Sequence, residues 1–487
     1  MRVAIIALER TVVVIRSGMN QMGSFLIEDR WMRAAWYVFL ILLPFTTRVL
    51  LGHVTRGFHE YEALFLYGTD VLLLLLLLFA FGLHRHHKEE WHGRSLHQLV
   101  VPIFLFVIAA GVSVAVAPSF ALSLYAFARL FLLTLLAWWA IPIFLTKHRV
   151  LQMTVAVLAV VAVIQAFIGI AQFSLQGSLG LELFGESYLD PVLPGAGSKI
   201  PFGAGLLRAY GTFPHPNILG AFLLIGLFAL IYFYVYLDWK LYRYDSNKTV
   251  KENWQLFIHN HAFYSRLIIA VGFFVVLLGL AVTFSRGAWI SALAGLSVIT
   301  VIMLLRHRVR SLLRLLFTLF FTALAVYWLL SPVLNERAQL SSTEPAVSYR
   351  LVYNQIGTEL VDQYPLGVGV GSQVLHSVRG GVYQAHGLSQ VWEWEPIHNL
   401  YLLIGSEVGI VGLLSFLFFL AILLWQLIRR QLPLVKLFTL GALVSLLVFG
   451  LFDHFLWTIQ PGRLMLWVVI GIAVSQLVQP QTEKEAK

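Results

Sequence analysis

The sequence predicts an all-α, polytopic integral membrane protein. Of its 487 residues, 59% are hydrophobic and 12% charged, a balance far from that of a soluble domain. Windows of 18 or more apolar residues recur along the chain, each long enough to cross a bilayer as a helix. The Lys and Arg residues fall unevenly on the two sides that these windows define. The apolar runs are continuous rather than alternating, which excludes a β-barrel. There is no cysteine, so disulfides, thiol catalysis and cysteine metal sites are excluded. The net charge of +10 is spread over short connecting segments, which points to anionic lipid rather than to nucleic acid. The apolar stretch Val3–Leu8 is ended by Glu9 and Arg10, too early for a cleavable signal peptide.

In chain order, residues 1–33 read as a cytoplasmic N-terminal segment. Five spans follow within 34–174, at 34–52, 63–83, 98–117, 120–145 and 150–174. The segment between the second and third contains His84-Arg85-His86-His87-Lys88, which reads as a basic connector rather than a metal site. Residues 175–331 begin with a Gly- and Pro-rich outer loop, in which Leu179, Leu181, Leu183 and Phe184 are expected to dip into the interface. Spans six to nine follow at 217–237, 267–284, 288–305 and 315–331. Residues 332–397 form the largest polar interruption. Spans ten to twelve, 398–428, 437–455 and 464–479, complete the membrane part, and 480–487 is a short tail. The tenth run is too long for one straight vertical helix at ~1.5 Å per residue, so it is expected to tilt or to project above the bilayer. With the N-terminus inside, the inner segments carry 24 Lys and Arg residues and the outer segments 9. Both termini are therefore assigned to the cytoplasm and the 332–397 loop to the outer side.

A membrane protein that keeps one sizeable aqueous loop usually works there. Within it, Tyr349, Val352, Tyr353, Ile356 and Leu360 recur at spacings of three and four, which predicts a surface-lying lid helix with Arg350, Asn354 and Thr358 on its other side. The turn Pro365-Leu366-Gly367-Val368-Gly369-Val370-Gly371 is not a phosphate-binding Walker loop, because no Gly-Lys-Ser/Thr follows. Trp392 and Trp394 read either as interfacial aromatics or as a stacking surface for sugar rings. Three outer points share a helix start: Asn217, read as the N-cap of span six; Ser285-Arg286-Gly287, between spans seven and eight; and Asn399, opening span ten. Free N–H groups and the helix dipole favour an anion at such ends. Arg208, Arg286 and Arg350 lie near them, and the planar guanidinium fork suits phosphate. One face thus offers arginines, helix ends and His398, the makings of a pyrophosphate site with an acid–base partner. No Asp-x-Asp pair lies outside, so a metal-held nucleotide sugar is not expected, and no metal ligand or cofactor is assigned.

The chain resembles the O-antigen ligase / O-antigen polymerase superfamily of bacterial envelopes. The resemblance rests on Arg208-x-x-Gly211-Thr212-Phe213-x-His215-Pro216-Asn217-x-x-Gly220, on Thr283-Phe284-Ser285-Arg286-Gly287, and on Arg350 followed by Pro365-Leu366-Gly367-x-Gly369. It closes with His398-Asn399-x-Tyr401-Leu402, Glu407-x-Gly409 and Gly412, so that about residues 205–415 are covered. It implies a glycosyltransferase C-like membrane fold in the bacterial inner membrane. It further implies a metal-independent glycosyltransferase that takes a glycan from undecaprenyl pyrophosphate at the outer face and passes it to a lipid, glycan or protein acceptor. Arg208 and Arg286 would then hold the pyrophosphate, Arg350 would assist, and His398 would serve the acceptor hydroxyl. His215, Asn217, Asn399, Trp392 and Trp394 are the further residues expected to touch substrate. A polymerase of the same superfamily is the nearest alternative. A lipid-linked glycan flippase is a more distant one, since the polar groups cluster on one face instead of running through the bundle.

Depth arithmetic adds one expectation independent of the resemblance. Arg129 lies nine residues into span four and Glu407 nine residues into span ten, both counted from the outer side, so both come to roughly 13 Å below the outer face at ~1.5 Å per residue. Intramembrane charges seek partners within the bundle. Arg129 and Glu407 are therefore expected to pair, with Asp70 as the competing partner for Arg129.

Overall fold

The computed structural model describes residues 29–55, 59–86, 97–193, 195–200, 205–238, 249–252, 255, 261–338, 345–430 and 433–478. The N-terminal segment up to residue 28, the basic connector from residue 87 and the tail from residue 479 lie outside the described residues.

The chain is an all-α polytopic membrane bundle. Nine helices among the described residues are long and apolar enough to cross a membrane, and Gly68–Gly82 and Lys436–Phe449 are shorter apolar helices. In order, the membrane part comprises α1 (Asp29–Leu42), α2 (Gly68–His86), α3 (His97–Ser113), α4 (Phe120–Leu135), α5 (His148–Leu175) and α6 (Pro216–Asp238). It continues with α7 (His261–Val282), α8 (Arg286–Leu305) and α9 (Val309–Ala338). Helix α4 runs on through a π-helical turn, Leu136–Ala140, into Ile141–Phe144. Helix α6 is enclosed almost all round, whereas α9 turns Phe317, Phe320, Phe321, Leu324 and Trp328 outward, as a lipid-facing helix must.

Two expected boundaries are corrected. The first span ends at Leu42, and the apolar residues beyond it form β1 (Arg48–His53), paired antiparallel with β2 (Ala63–Tyr67). The apolar run Val49-Leu50-Leu51 gave this hairpin the hydropathy of a span, but all three side chains are exposed. The second membrane helix accordingly starts at Gly68, where Asp70 accepts a hydrogen bond from the Tyr67 backbone N–H at 3.0 Å. A second small pair, β3 (Lys199–Ile200) and β4 (Leu206–Leu207), lies in the loop before α6.

The large loop contains the expected lid helix, α10 (Pro345–Gln363). Tyr353, Ile356 and Leu360 are buried on its apolar side, while Tyr349 is exposed. Beyond it lies α11 (Gln373–Arg379), and the tenth membrane helix, α12 (Leu400–Arg429), is interrupted at Gly409, whose φ is 82°. The glycine turn docks into that interruption. Val368 N–H donates to Ser406 O at 2.8 Å, Gly369 N–H to Glu407 O at 3.0 Å, and Ile410 N–H to Pro365 O at 3.0 Å. Non-helical backbone within the bundle is tolerated because it is enclosed by protein and its polar groups are bonded.

The last membrane helices are α13 (Lys436–Phe449) and α15 (Gln460–Val478), with the short α14 (Phe455–Thr458) between them. The eleventh span was expected to continue to residue 455. It stops at Phe449, which frees Asp453 and His454 from the helix.

The Arg129–Glu407 pair does not form. Arg129 donates to Asp70 Oδ1 at 3.0 Å and to Phe65 O at 3.2 Å, and it also bonds Tyr125 and Gln460. Gln460 Nε2 donates to the same Asp70 oxygen at 2.8 Å. Glu407 accepts instead from Trp457 Nε1 at 2.7 Å, Gly371 N–H at 2.7 Å and Gln373 N–H at 3.2 Å. Counting residues along straight helices placed the two charges at one depth. It does not distinguish a partner on another helix from the backbone groups of a docked turn, which here take up Glu407.

Two measurements check this arrangement. Arg129→Met and Asp70→Asn are expected to couple by about 0.5–3 kcal/mol in a double-mutant cycle on stability in detergent, whereas Arg129→Met and Glu407→Gln add. A cysteine at the exposed Ser389 is expected to react with an impermeant thiol reagent in spheroplasts, and one at the exposed Arg310 is not. The reverse pattern would invert the orientation.

Candidate active site

The loops at one end of the bundle meet in a buried polar chain. Arg208 enters just after β4. Its Nε donates to Thr283 O at 2.7 Å, Nη1 to Ser198 Oγ at 3.1 Å and Nη2 to Asn217 Oδ1 at 2.9 Å. Asn217 Nδ2 then donates to Asp453 Oδ2 at 2.7 Å. A cation at one end and a carboxylate at the other permit only this orientation of the amide. Asp453 Oδ1 accepts from the His454 backbone N–H at 2.8 Å. Arg208, Asn217, Asp453 and His454 are all buried.

The helix ends differ from expectation in one respect. Asn217 is not the cap of α6: it lies in the first turn, and His215 takes the capping role, its Nδ1 accepting from the Asn217 backbone N–H at 3.1 Å. Asn399 caps α12 by accepting from the N–H groups of Tyr401 at 3.0 Å and Leu402 at 3.2 Å. Ser285 caps α8 through a 3.4 Å bond from Ala288 N–H. These side chains already occupy several of the N–H groups proposed for an anion, so positive charge at the site falls chiefly to the arginines.

Arg286 is the first residue of α8 and is partly exposed. The turn before it is gripped from two sides: Arg208 bonds Thr283 O, and Arg337 Nε donates to Phe284 O at 3.1 Å. Phe284 itself holds a left-handed conformation, φ 48°. Arg350 hangs from α10 with its Nε excluded from solvent and without a hydrogen-bond partner, and the Asn354 Oδ1 one turn on is in the same state. On this polar side of α10, Arg350 and Asn354 are thus partly enclosed, while Thr358 is exposed.

His398 lies beside His454, ring centroids 4.7 Å apart and edge to face, and stacks on Tyr353 at 5.0 Å with 12° between planes. Its Nδ1 is 2.9 Å from Pro396 O, and its Nε2 is 3.4 Å from Glu395 Oε2. A carbonyl can only accept, so Nδ1 carries the proton and the Nε2 of the neutral ring presents a lone pair. The donor atoms of Glu395, His398 and His454 lie within 4.8 Å of one another, a set with the composition of a metal site to which sequence reading assigned no metal.

Of the aromatic pair, Trp392 is exposed. Trp394 is half-buried on Tyr383, rings 6.5 Å apart and 9° from parallel, with its indole N–H donating to Leu388 O at 3.3 Å. Trp394 thus takes part in the internal packing of the loop. Asp453, His454, Arg337, Glu395 and Tyr353 were not assigned by the sequence reading. The Asp453-His454 pair at the end of an apolar run was the signal that could have disclosed two of them.

Burial pushes the His215 and His454 rings down to about 3, so both stand neutral. Burial, with Arg337 and Arg350 nearby, pulls the Arg208 guanidinium down to about 9, which leaves it a cation at neutral pH. Burial alone would raise the Asp453 carboxyl, but His454, His398, His215 and Arg350 outweigh it and hold the group below the ordinary carboxylate range. Burial raises Glu395.

The fold and site thus define a polytopic membrane protein with a cluster of arginines and histidines, several of them buried, at the ends of its helices. Residues 271–417 match the family described as O-antigen ligase, so the resemblance to the O-antigen ligase / polymerase superfamily is borne out over that stretch. No curated protein matches the chain. The matched stretch includes Arg286, Arg337, Arg350 and His398. Arg208, Asn217, Asp453 and His454 lie on either side of it and are brought to it by the fold.

A pH effect follows. The two buried histidines bind protons less readily in the folded chain, at about 3, than at their ordinary ~6.5. The unfolded state therefore takes up more protons, and stability falls as pH drops below about 6.5. Asp453, also depressed, adds a loss in the same direction below about 4. The melting temperature in detergent is expected to fall between pH 7 and pH 4, and His454→Gln to flatten that slope. A profile unchanged by the substitution would count against a buried neutral His454.

Proposed function

We propose that this protein is a glycosyltransferase that moves a glycan from undecaprenyl pyrophosphate to an acceptor hydroxyl at the outer face of the bacterial cytoplasmic membrane. The observation that carries the reading is the convergence of Arg208, Arg350 and His398 around Asp453 at one end of a bundle whose matched stretch is similar to O-antigen ligases.

In this reading the anomeric carbon is attacked by the acceptor oxygen while the lipid pyrophosphate leaves. Negative charge grows on the leaving group, and prepositioned guanidinium groups stabilise it without reorganisation. Arg208 uses three N–H groups on Thr283, Ser198 and Asn217, which fixes its plane and leaves two of its five donors for phosphate oxygens. Arg286 and Arg350 approach from α8 and the lid. These cations supply the charge that a divalent metal supplies in other transferases, and the reaction needs no metal. His398 Nε2 takes the acceptor proton, and Glu395, 3.4 Å from that nitrogen, stabilises the imidazolium that forms. The exposed Trp392 offers a face on which sugar rings stack.

The test is transfer by purified protein from a lipid-pyrophosphate glycan to candidate acceptors. Arg208→Ala, Arg286→Ala and His398→Ala are expected to lower turnover by at least about 100-fold, and Arg286→Lys to recover only part of it, because an ammonium lacks the bidentate fork. Single transfer marks a ligase and progressive chain extension a polymerase. Wild-type turnover by His398→Ala would remove the general-base role.

A further inference from the structure

We propose that Glu395, His398 and His454 form a binding site for a zinc-type divalent cation, and that occupancy of this site silences the transferase by taking the lone pair of His398. The second half rests on the function proposed above; the first does not.

The argument begins with tautomers. Pro396 O fixes the proton of His398 on Nδ1. In His454, Nδ1 lies 2.6 Å from Thr458 Oγ1, and that hydroxyl already donates to His454 O at 3.3 Å. With that donation made, Thr458 Oγ1 accepts from Nδ1 of His454, the tautomer that leaves Nε2 of both rings as an unprotonated donor. Each ring is thus held through its far nitrogen by an oxygen acceptor, the outer-shell arrangement that orients metal-binding imidazoles.

Two imidazoles and a carboxylate suit zinc and its neighbours rather than magnesium or calcium, which prefer all-oxygen sites. The spacing fits. Two ligands on a tetrahedral zinc with ~2.0–2.1 Å bonds lie about 3.3 Å apart, and His398 Nε2 to Glu395 Oε2 is 3.4 Å. One ligand atom from each of the three residues lies within 4.8 Å of the other two, so closure on a cation needs side-chain movements on the order of 1 Å. Tyr353 stacked on His398, and Tyr61 edge-on to His454 with centroids 5.8 Å apart, wall the site. Three protein ligands leave one position open. Without a cation, the His398 lone pair faces a carboxylate oxygen, an arrangement that a proton or a metal ion relieves. Binding displaces whichever proton is shared there and needs no redox partner.

Cobalt(II) is the probe. The full chain, purified without a polyhistidine tag, stripped with EDTA and carrying His84→Gln, His86→Gln and His87→Gln to remove the histidine-rich connector, is titrated in detergent. One equivalent is expected to give visible d–d bands. His454→Gln and Glu395→Gln are expected to weaken binding by more than the ~10- to 100-fold that loss of an outer-shell partner costs, and Thr458→Val by about that amount. Absence of the bands, or bands untouched by all three substitutions, overturns the site. Zinc is expected to inhibit transfer reversibly, with the half-inhibiting concentration shifted by Thr458→Val in step with the cobalt affinity. Transfer that EDTA abolishes and zinc restores overturns the silencing role. The cobalt titration uses no glycan, so its failure leaves the transferase reading standing. A protein that binds cobalt but transfers nothing separates the two in the other direction.

Discussion

The buried carboxylate of Glu407 holds the large loop to the membrane bundle. A carboxylate at this depth is tolerated only when its oxygens are bonded. Here the donors are the backbone N–H groups of Gly371 and Gln373 and the indole of Trp457. One side chain of α12 thereby fastens the glycine turn on one side and the link before α15 on the other. The glycines are needed because the backbones touch. A Cβ on Gly367 would stand 2.3 Å from Glu407 O, and one on Gly409 would stand 2.4 Å from Pro365 O, with φ at 81° and 82°. Both His398, nine residues before Glu407, and His454, three before Trp457, take their positions from this junction.

Charge in this cluster is unequal. Arg208, Arg286, Arg337 and Arg350 are set against the single buried carboxylate of Asp453 and the half-exposed Glu395. Asp453 is spent on Asn217 and on the His454 backbone, so it orders the cationic groups more than it neutralises them. An excess of positive charge of this kind is what the transfer reading proposed above requires for an anionic leaving group. The lid contributes through Arg350, whose Nε has no protein partner within this cluster.

Much of this was legible in the sequence, for definable reasons. Hydropathy located the membrane helices because lipid imposes one rule on every span, and spacing located α10 because its apolar face is buried. The motifs around Arg208, Ser285 and His398 were legible as helix starts bearing charge. What could not be read was anything set by contact between distant segments. Apolar residues 49–51 passed for membrane helix although they belong to an exposed hairpin. The partner of Arg129 proved to be Asp70, in the first turn of α2, because that helix starts after the hairpin. The capping role fell to His215 because Arg208 and Asp453 claim the Asn217 amide.

The most instructive omission is the link between α13 and α15. Hydropathy merged its start into a span, yet three of its residues, with the first residue of α15, serve four different parts of the molecule. Asp453 holds Asn217 at the start of α6, His454 lies against His398 of the loop, Trp457 bonds Glu407 of α12, and Gln460 joins the Arg129–Asp70 pair of α4 and α2. These side chains sit on a segment containing one four-residue helix, where successive residues point in several directions, and a long helix could not have distributed them so. The histidine cluster, the docked turn and the intramembrane ion pair are thus all held by one short stretch of chain, where the interior is packed and the polar groups are bonded.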